Sequence, residues 1–203
     1  MNPYTANIGE YDYPRSDGIL CFQFGITGTD TRYDARMYKI LAHLFIREPS
    51  LWLDANIYLR APLTEIAHEL LPLGYDIALF QHPYRRNALE EACAMIEYQL
   101  EDTRRVFEFI KAYEPVLQRV PLYETGVIAR AFNSDVAAFN ELWWRLVQRY
   151  SVRDQLTLPI ALDTVRLKVH IIRGNVRCHE WFEFNPHRLN RVEQHRGTVK
   201  LNP

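Results

Sequence analysis

The sequence predicts an α/β domain built on a mixed, mostly parallel central sheet flanked by helices. Three observations point that way. Short apolar segments alternate with helical patterns along almost the whole chain, and strands that alternate with helices form parallel sheets through crossover connections. The 203 residues are 48% hydrophobic and 13% aromatic, which suits one core and one domain covering 1–203. No internal repeat or low-complexity segment interrupts the pattern, and only the tail from about residue 174 loses its periodicity.

The elements follow in order. "PYTANIG" reads as a first strand closed by a turn at Gly9, and "ILCFQFGI" at 19–26 as a second. Gly25, Gly28 and Asp30 then punctuate the chain. Met37, Ile40, Leu41, Leu44 and Phe45 recur at i, i+3, i+4, i+7 and i+8, which predicts an amphipathic helix over 30–46 capped by Asp30 or Thr31. "LWLD" and "IYLR" are strands, Pro62 opens a short helix in "LTEIAHELL", and "YDIALF" is a strand. "NALEEACAMIEYQLED" and "RRVFEFIKAYEPVLQ" are helical, the second interrupted at Pro115. "GVIARAF" is a strand, "SDVAAFNELWWRLVQRYS" a helix capped by Ser134 with Trp143 in the core, "RDQLTLPIAL" another helix and "VRLKVHII" a strand.

Formal net charge is −1, so no global field draws the chain to nucleic acid or to an anionic membrane. An anionic ligand must be held by a local cluster. Cys21, Cys93 and Cys178 are sparse, odd in number and without a CxxC spacing, which argues against a disulfide framework and a structural zinc. The N-terminus lacks the regions of a signal peptide, and no apolar run approaches the roughly 20 residues of a membrane span. A cytoplasmic location is the expectation, with peripheral membrane association left open. There is no GxGxxG, no GxxxxGK[ST], no GxSxG elbow and no HExxH.

The chemistry-bearing pattern starts at "SLWLDANIYLR", where an apolar strand ends on Asp54-Ala55-Asn56. In extended chain, residues i and i+2 point the same way, so two oxygen donors face one point. A hard divalent cation suits them, its shell completed by a diphosphate and water; the plain alternative is an Asx-turn. Strand carboxyl ends are also where open α/β sheets place ligands. Arg36, Lys39 and His43 share one face of the preceding helix, a cationic stripe that suits either a phosphate-bearing ligand or solvent. His82 and Arg85 follow another strand in a loop containing Pro83, and Glu90 and Glu91 stand at the next helix start, where acids suit the dipole. Arg153, Asp154 and Gln155 join two helices. Asp154 either caps the second helix or, with Gln155, meets sugar hydroxyls as a base or charge stabiliser. His170, His179 and His187 are each a packing histidine or a third metal ligand.

Seven blocks, "YTANIGEYD", "ARMYKILAH", "LWLDANIYL", "FQHPYRRNALEEA", "YETGVIAR", "ELWW" and "SVRDQLTL", run in the order seen in a glycosyltransferase-like family once catalogued as a domain of unknown function. Over about residues 4–160 the chain resembles that family, which includes plant cell-wall hexosyltransferases and small bacterial relatives. The family is similar to nucleotide-sugar transferases of the GT-A fold. The resemblance implies a nucleoside diphosphate sugar donor of UDP type, a glycan or other hydroxyl acceptor, and no nucleic acid partner. It implies that Asp54 and Asn56 are a version of the acidic DxD motif holding Mn²⁺ or Mg²⁺, with a tail histidine, His187 ahead of His179, as a further ligand. Asn56 stands where the motif has an acid. Tyr4, Thr5 and Ala6 would lie near the nucleoside, and Arg36 and Lys39 near phosphate or donor sugar. His82 and Arg85 would line the cleft between donor and acceptor, with Arg153 on the donor side, and Asp154 and Gln155 would act at the transferred sugar.

The expected function is therefore metal-dependent transfer of a hexose in polysaccharide biosynthesis, with retention of anomeric configuration favoured by the resemblance. The alternative is a non-catalytic nucleotide-sugar or glycan-binding module, which the neutral Asn56 favours.

Overall fold

The computed structural model describes residues 1–9, 11–26 and 30–187. In chain order its elements are β1 (Asn2–Ala6), β2 (Leu20–Phe22), α1 (Thr31–Ile40), α2 (Ala42–Phe45), β3 (Ser50–Leu53), β4 (Ile57–Leu59), α3 (Leu63–Leu70), β5 (Ile77–Gln81), α4 (Ala88–Glu97), α5 (Thr103–Leu117), β6 (Tyr123–Arg130), α6 (Ser134–Tyr150), α7 (Asp154–Val165), β7 (Val169–Ile172), a 3₁₀ turn at Val176–Cys178, and β8 (Phe182–Phe184). Six strands form one sheet in the order β2-β1-β3-β6-β5-β7. β6 runs antiparallel to both of its neighbours, while β1 pairs parallel with β2 and β3, and β5 with β7. β4 and β8 make a small antiparallel ribbon. Among the described residues no helix is long and apolar enough to cross a membrane.

The central strands are apolar because both of their faces are covered. Along β3 and β6, alternate side chains enter different cores. Trp52 and Ile128 join the larger one, with Phe139 and Trp143 of α6 and Leu156 of α7. Leu51, Leu53, Val127 and Ala129 join the smaller one, closed by Leu70 of α3, Val176 and Phe182. Trp143 is fully buried and its indole Nε1 donates to the Asp154 carbonyl at 3.0 Å, which ties the core to the start of α7.

Several expected boundaries move. The helix expected over 30–46 breaks at Leu41, so Arg36 and Lys39 stay on α1 while His43 falls on α2. His43 then packs against Asn140 at 3.2 Å, off the face that the other two share. Asp30 caps α1 as expected, whereas Asn133, not Ser134, caps α6 and accepts from the Val136 amide. Asp154 is the first residue of α7 and Arg153 precedes it. α5 runs through Pro115 and ends two residues later at Leu117. β8 is three residues long, too short to show a period of its own.

Ile128 is fully buried at the middle of β6, in register with Trp52 of β3 and Leu79 of β5. Ile128→Ala is expected to cost about 2–5 kcal/mol, read as a lower urea midpoint at unchanged slope.

Candidate functional site

β3 delivers Asp54 just past its carboxyl end, where the Asp54 amide donates to the Gly126 carbonyl at 2.8 Å. One carboxylate oxygen, Oδ1, accepts from Trp52 Nε1 at 2.7 Å and from Lys39 Nζ at 3.2 Å. The other, Oδ2, accepts no hydrogen bond among the described residues. It lies over Gly126: a Cβ on that glycine would stand 3.5 Å from Oδ2 and 2.9 Å from the Ile57 side chain. A glycine there keeps the strand close without covering the acid.

Lys39 carries the geometry inward. Its ammonium is buried and also lies 2.8 Å from Asp154 Oδ2, while Arg36 Nε lies 2.9 Å from Asp154 Oδ1. Tyr4 Oη and Arg130 Nη1 both donate to the Lys39 carbonyl, at 3.2 and 2.8 Å. The backbone that carries the ammonium is thus held from the core side. Burial alone pushes the Asp154 carboxyl upward, but the Arg36 and Lys39 charges, with polar contacts from Lys39 and Thr125, outweigh it and hold the group at about 2.

Two clefts meet over this centre. The first, about 350 Å³, is walled by Trp52, Ile8, Tyr11 and Leu100, with Arg32 at its side. The second, about 250 Å³, is more polar and contains Asn56, Glu124, Thr125, Asp154, Gln155 and Arg177. Arg36, Asp54, Arg153 and His187 line both. An elongated ligand can therefore pass over Asp54 from one cleft into the other.

The structure gathers much of the expected set. Ala6 reaches the first cleft, whereas Tyr4 and Thr5 have no exposed surface, and Tyr4 packs edge-on against Trp52 in the core. Gln155 lines the second cleft and donates through Nε2 to the Tyr123 carbonyl at 2.9 Å. His187 sits on both clefts with Nδ1 2.9 Å from Asp12 Oδ1. His179 packs instead among Phe80, Trp181 and Phe182, and His170 lies against Tyr75. His82 and Arg85 line a separate hollow with Gly174 and touch neither cleft. The His82 Nδ1 accepts the amides of Tyr84 and Arg85, and burial, with the Arg85 and Arg177 charges, lowers this imidazole to about 4. Arg85 connects to the site through buried Glu91, which lies 2.7 Å from Arg85 Nη1 and 3.7 Å from Arg153 Nη2.

Residues to which sequence reasoning gave no place in the site are Asp12, Trp52, Glu124 and Arg177, together with Glu91, which it read only as suiting the helix dipole. Glu124 alone carried a signal, a charged residue within the apolar run of a strand.

The donor set fits a divalent cation in kind. Asp54 offers a carboxylate oxygen, Asn56 an amide oxygen and His187 an imidazole nitrogen, and all three line the second cleft. Among the described residues no three His, Cys, Asp or Glu converge on one point, so Asn56 is needed to make up the number. The Asp12 carboxylate against Nδ1 favours the His187 tautomer whose Nε2 carries the free pair, the usual support of a metal-binding imidazole. Asn56 Nδ2 donates to the Asn185 carbonyl at 2.6 Å, which leaves the amide oxygen as the group for a cation.

A mixed α/β sheet with an acid at a strand end, a cationic helix face beside it and two clefts meeting over that acid has the organisation of a glycosyltransferase-like domain. The family model described as the TOD1/MUCI70 glycosyltransferase-like domain matches residues 26–180, and the chain belongs to that family. No match was found among curated proteins. Among solved structures, apo mouse xyloside xylosyltransferase 1 is similar with a TM-score of 0.39 and 12% identity, over 68% of this chain and 51% of that one. The apo WbbM bifunctional glycosyltransferase is similar with a TM-score of 0.43 and 12% identity, over 73% of this chain and 27% of that one. The chain thus spans 51% and 27% of the lengths of these two proteins.

Because the folded Asp154 carboxyl lies below its ordinary 3.8, at about 2, the stability it contributes is complete above about pH 4 and is lost as pH falls through about 2. The contribution is about 2–3 kcal/mol. Urea unfolding of wild type and Asp154→Asn is expected to show a gap that is constant from pH 7 to 5 and narrows toward pH 2. A gap independent of pH would contradict the ion-pair assignment.

Proposed function

We propose that the chain transfers a hexose from a nucleoside diphosphate sugar to a hydroxyl acceptor, with Mn²⁺ or Mg²⁺ held by Asp54, Asn56 and His187. The observation that carries this reading is Asp54 itself: its Oδ1 is anchored on Trp52 and Lys39, and its Oδ2 is left open where the two clefts meet. The nucleoside takes the first cleft, against Trp52 and Ile8, and the sugar and acceptor take the second.

Breaking the anomeric C–O bond leaves negative charge on the departing diphosphate. A bound divalent cation supplies Lewis-acid stabilisation of that charge. Arg36 lines both clefts and adds a guanidinium on the same path. Lys39 balances Asp54 and Asp154 from beneath, so the acidic floor does not repel the phosphates. Asp154, held as an ion pair at about 2, is a poor proton acceptor near neutral pH. It orients Arg36 and Lys39; retention of configuration is favoured by the family resemblance alone.

The second reading is a binding module without turnover. It draws on Asn56, whose amide nitrogen is committed to the Asn185 carbonyl and which therefore has a structural role whether or not a cation is bound.

A panel of UDP-, GDP- and dTDP-sugars with Mn²⁺ separates the two, by nucleotide release and by product anomer. Asp54→Ala is expected to lose roughly 100- to 1,000-fold in kcat, and a chelator to lower the wild type similarly. Full activity in Asp54→Ala would sink the metal role, while calorimetric binding of UDP without any turnover would support the module.

A further inference from the structure

Glu124 stands apart from the other acids of the site. Asp54 has Lys39 and Trp52, Asp154 has Arg36 and Lys39, Asp12 has His187, and Glu91 has Arg85. The Glu124 side chain lines the second cleft, is only 8% exposed, and makes no hydrogen bond or ion pair among the described residues. Its carboxylate opens into the cleft, where a ligand can reach it.

The backbone accounts for its position. β6 pairs with β3 only from Val127 to Arg130, and its register against β5 shifts between Leu79 and Gln81. Glu124 therefore sits on a stretch freed from the regular ladder, and such irregularities recur beside functional sites because they re-aim side chains. Arg177 lines the same cleft and Gln155 stands near it, so the space holds an acceptor, a charged donor and an amide together. That combination suits a neutral polyhydroxylated ligand, since each sugar hydroxyl both donates and accepts.

We propose that Glu124 is the hydroxyl-recognising carboxylate of the second cleft, accepting hydrogen bonds from the sugar that occupies it. This rests on the transferase reading above and adds to it a residue that determines specificity. Burial pushes the Glu124 carboxyl up, Arg177 draws it down and the Asp54 charge pushes it up again. A hydroxyl donor offsets that burial only when the sugar is present.

The test uses the donor that the wild type turns over with Mn²⁺, together with its 2-, 3-, 4- and 6-deoxy analogues. Glu124→Ala is expected to lose roughly 10- to 100-fold in kcat/KM, with UDP binding unchanged by calorimetry. One deoxy analogue should cost the wild type a similar factor and cost Glu124→Ala almost nothing further. Glu124→Gln, which removes an unpartnered buried charge, should melt at the same or a higher temperature while losing activity, the reverse of what a structural residue shows. Equal losses in wild type and variant for every analogue, unchanged activity in Glu124→Ala, or a lower melting temperature for Glu124→Gln would overturn the proposal. A wild type that turns over no nucleotide sugar would instead overturn the transferase reading, and this inference with it.

Discussion

The buried ammonium of Lys39 is the interaction on which the site depends. It lies within 3.2 Å of Asp54 and 2.8 Å of Asp154, two carboxylates brought together from β3 and the start of α7. Without a cation between them the two acids would repel at close range in a poorly solvated place. With it, one acid is locked and the other keeps an oxygen for a ligand. The same lysine's carbonyl is gripped by Tyr4 and Arg130, so the charge is positioned by the core rather than by the cleft. Truncating a buried partner in such a set leaves an uncompensated charge.

Around that centre the polar residues divide by how far they are already satisfied. Asp154, Glu91 and Asp12 are held by cations or a histidine and act by orienting Arg36, Arg153 and His187. Asp54 is half-satisfied and Glu124 is not satisfied at all. The C-terminal segment completes the enclosure: Asn56 exchanges bonds with Asn185, giving through its amide to the Asn185 carbonyl and receiving the Asn185 amide at its own carbonyl, and β8 pairs with β4. His187 reaches the clefts because of that strap.

Much of this was legible from local pattern. Alternating apolar runs and helical periodicity gave the order of strands and helices, because each depends on neighbours a few residues away. The strand ending on Asp54, the cationic pair Arg36 and Lys39 one turn apart on α1, and the Arg153-Asp154-Gln155 join before α7 were visible for the same reason. Boundaries shifted where a side chain outside the pattern decided them, as when Asn133 took the cap expected of Ser134, or when α1 ended before His43.

What only the tertiary structure decided are the relations between distant residues. Asn56 meets Asn185 across 129 positions, and His187 meets Asp12 across 175. No periodicity reports such pairs, because they arise from how the sheet orders its strands and where the tail returns. The same holds for the removal of His82 and Arg85 to a separate hollow and for the seclusion of Tyr4 in the core. The sequence by itself determined which elements form and which polar residues stand at their ends, since those follow from hydrophobic period and capping. The fold decided which of those polar residues face one another, and left Glu124 buried with no protein partner among the described residues, since pairing and burial depend on packing between elements.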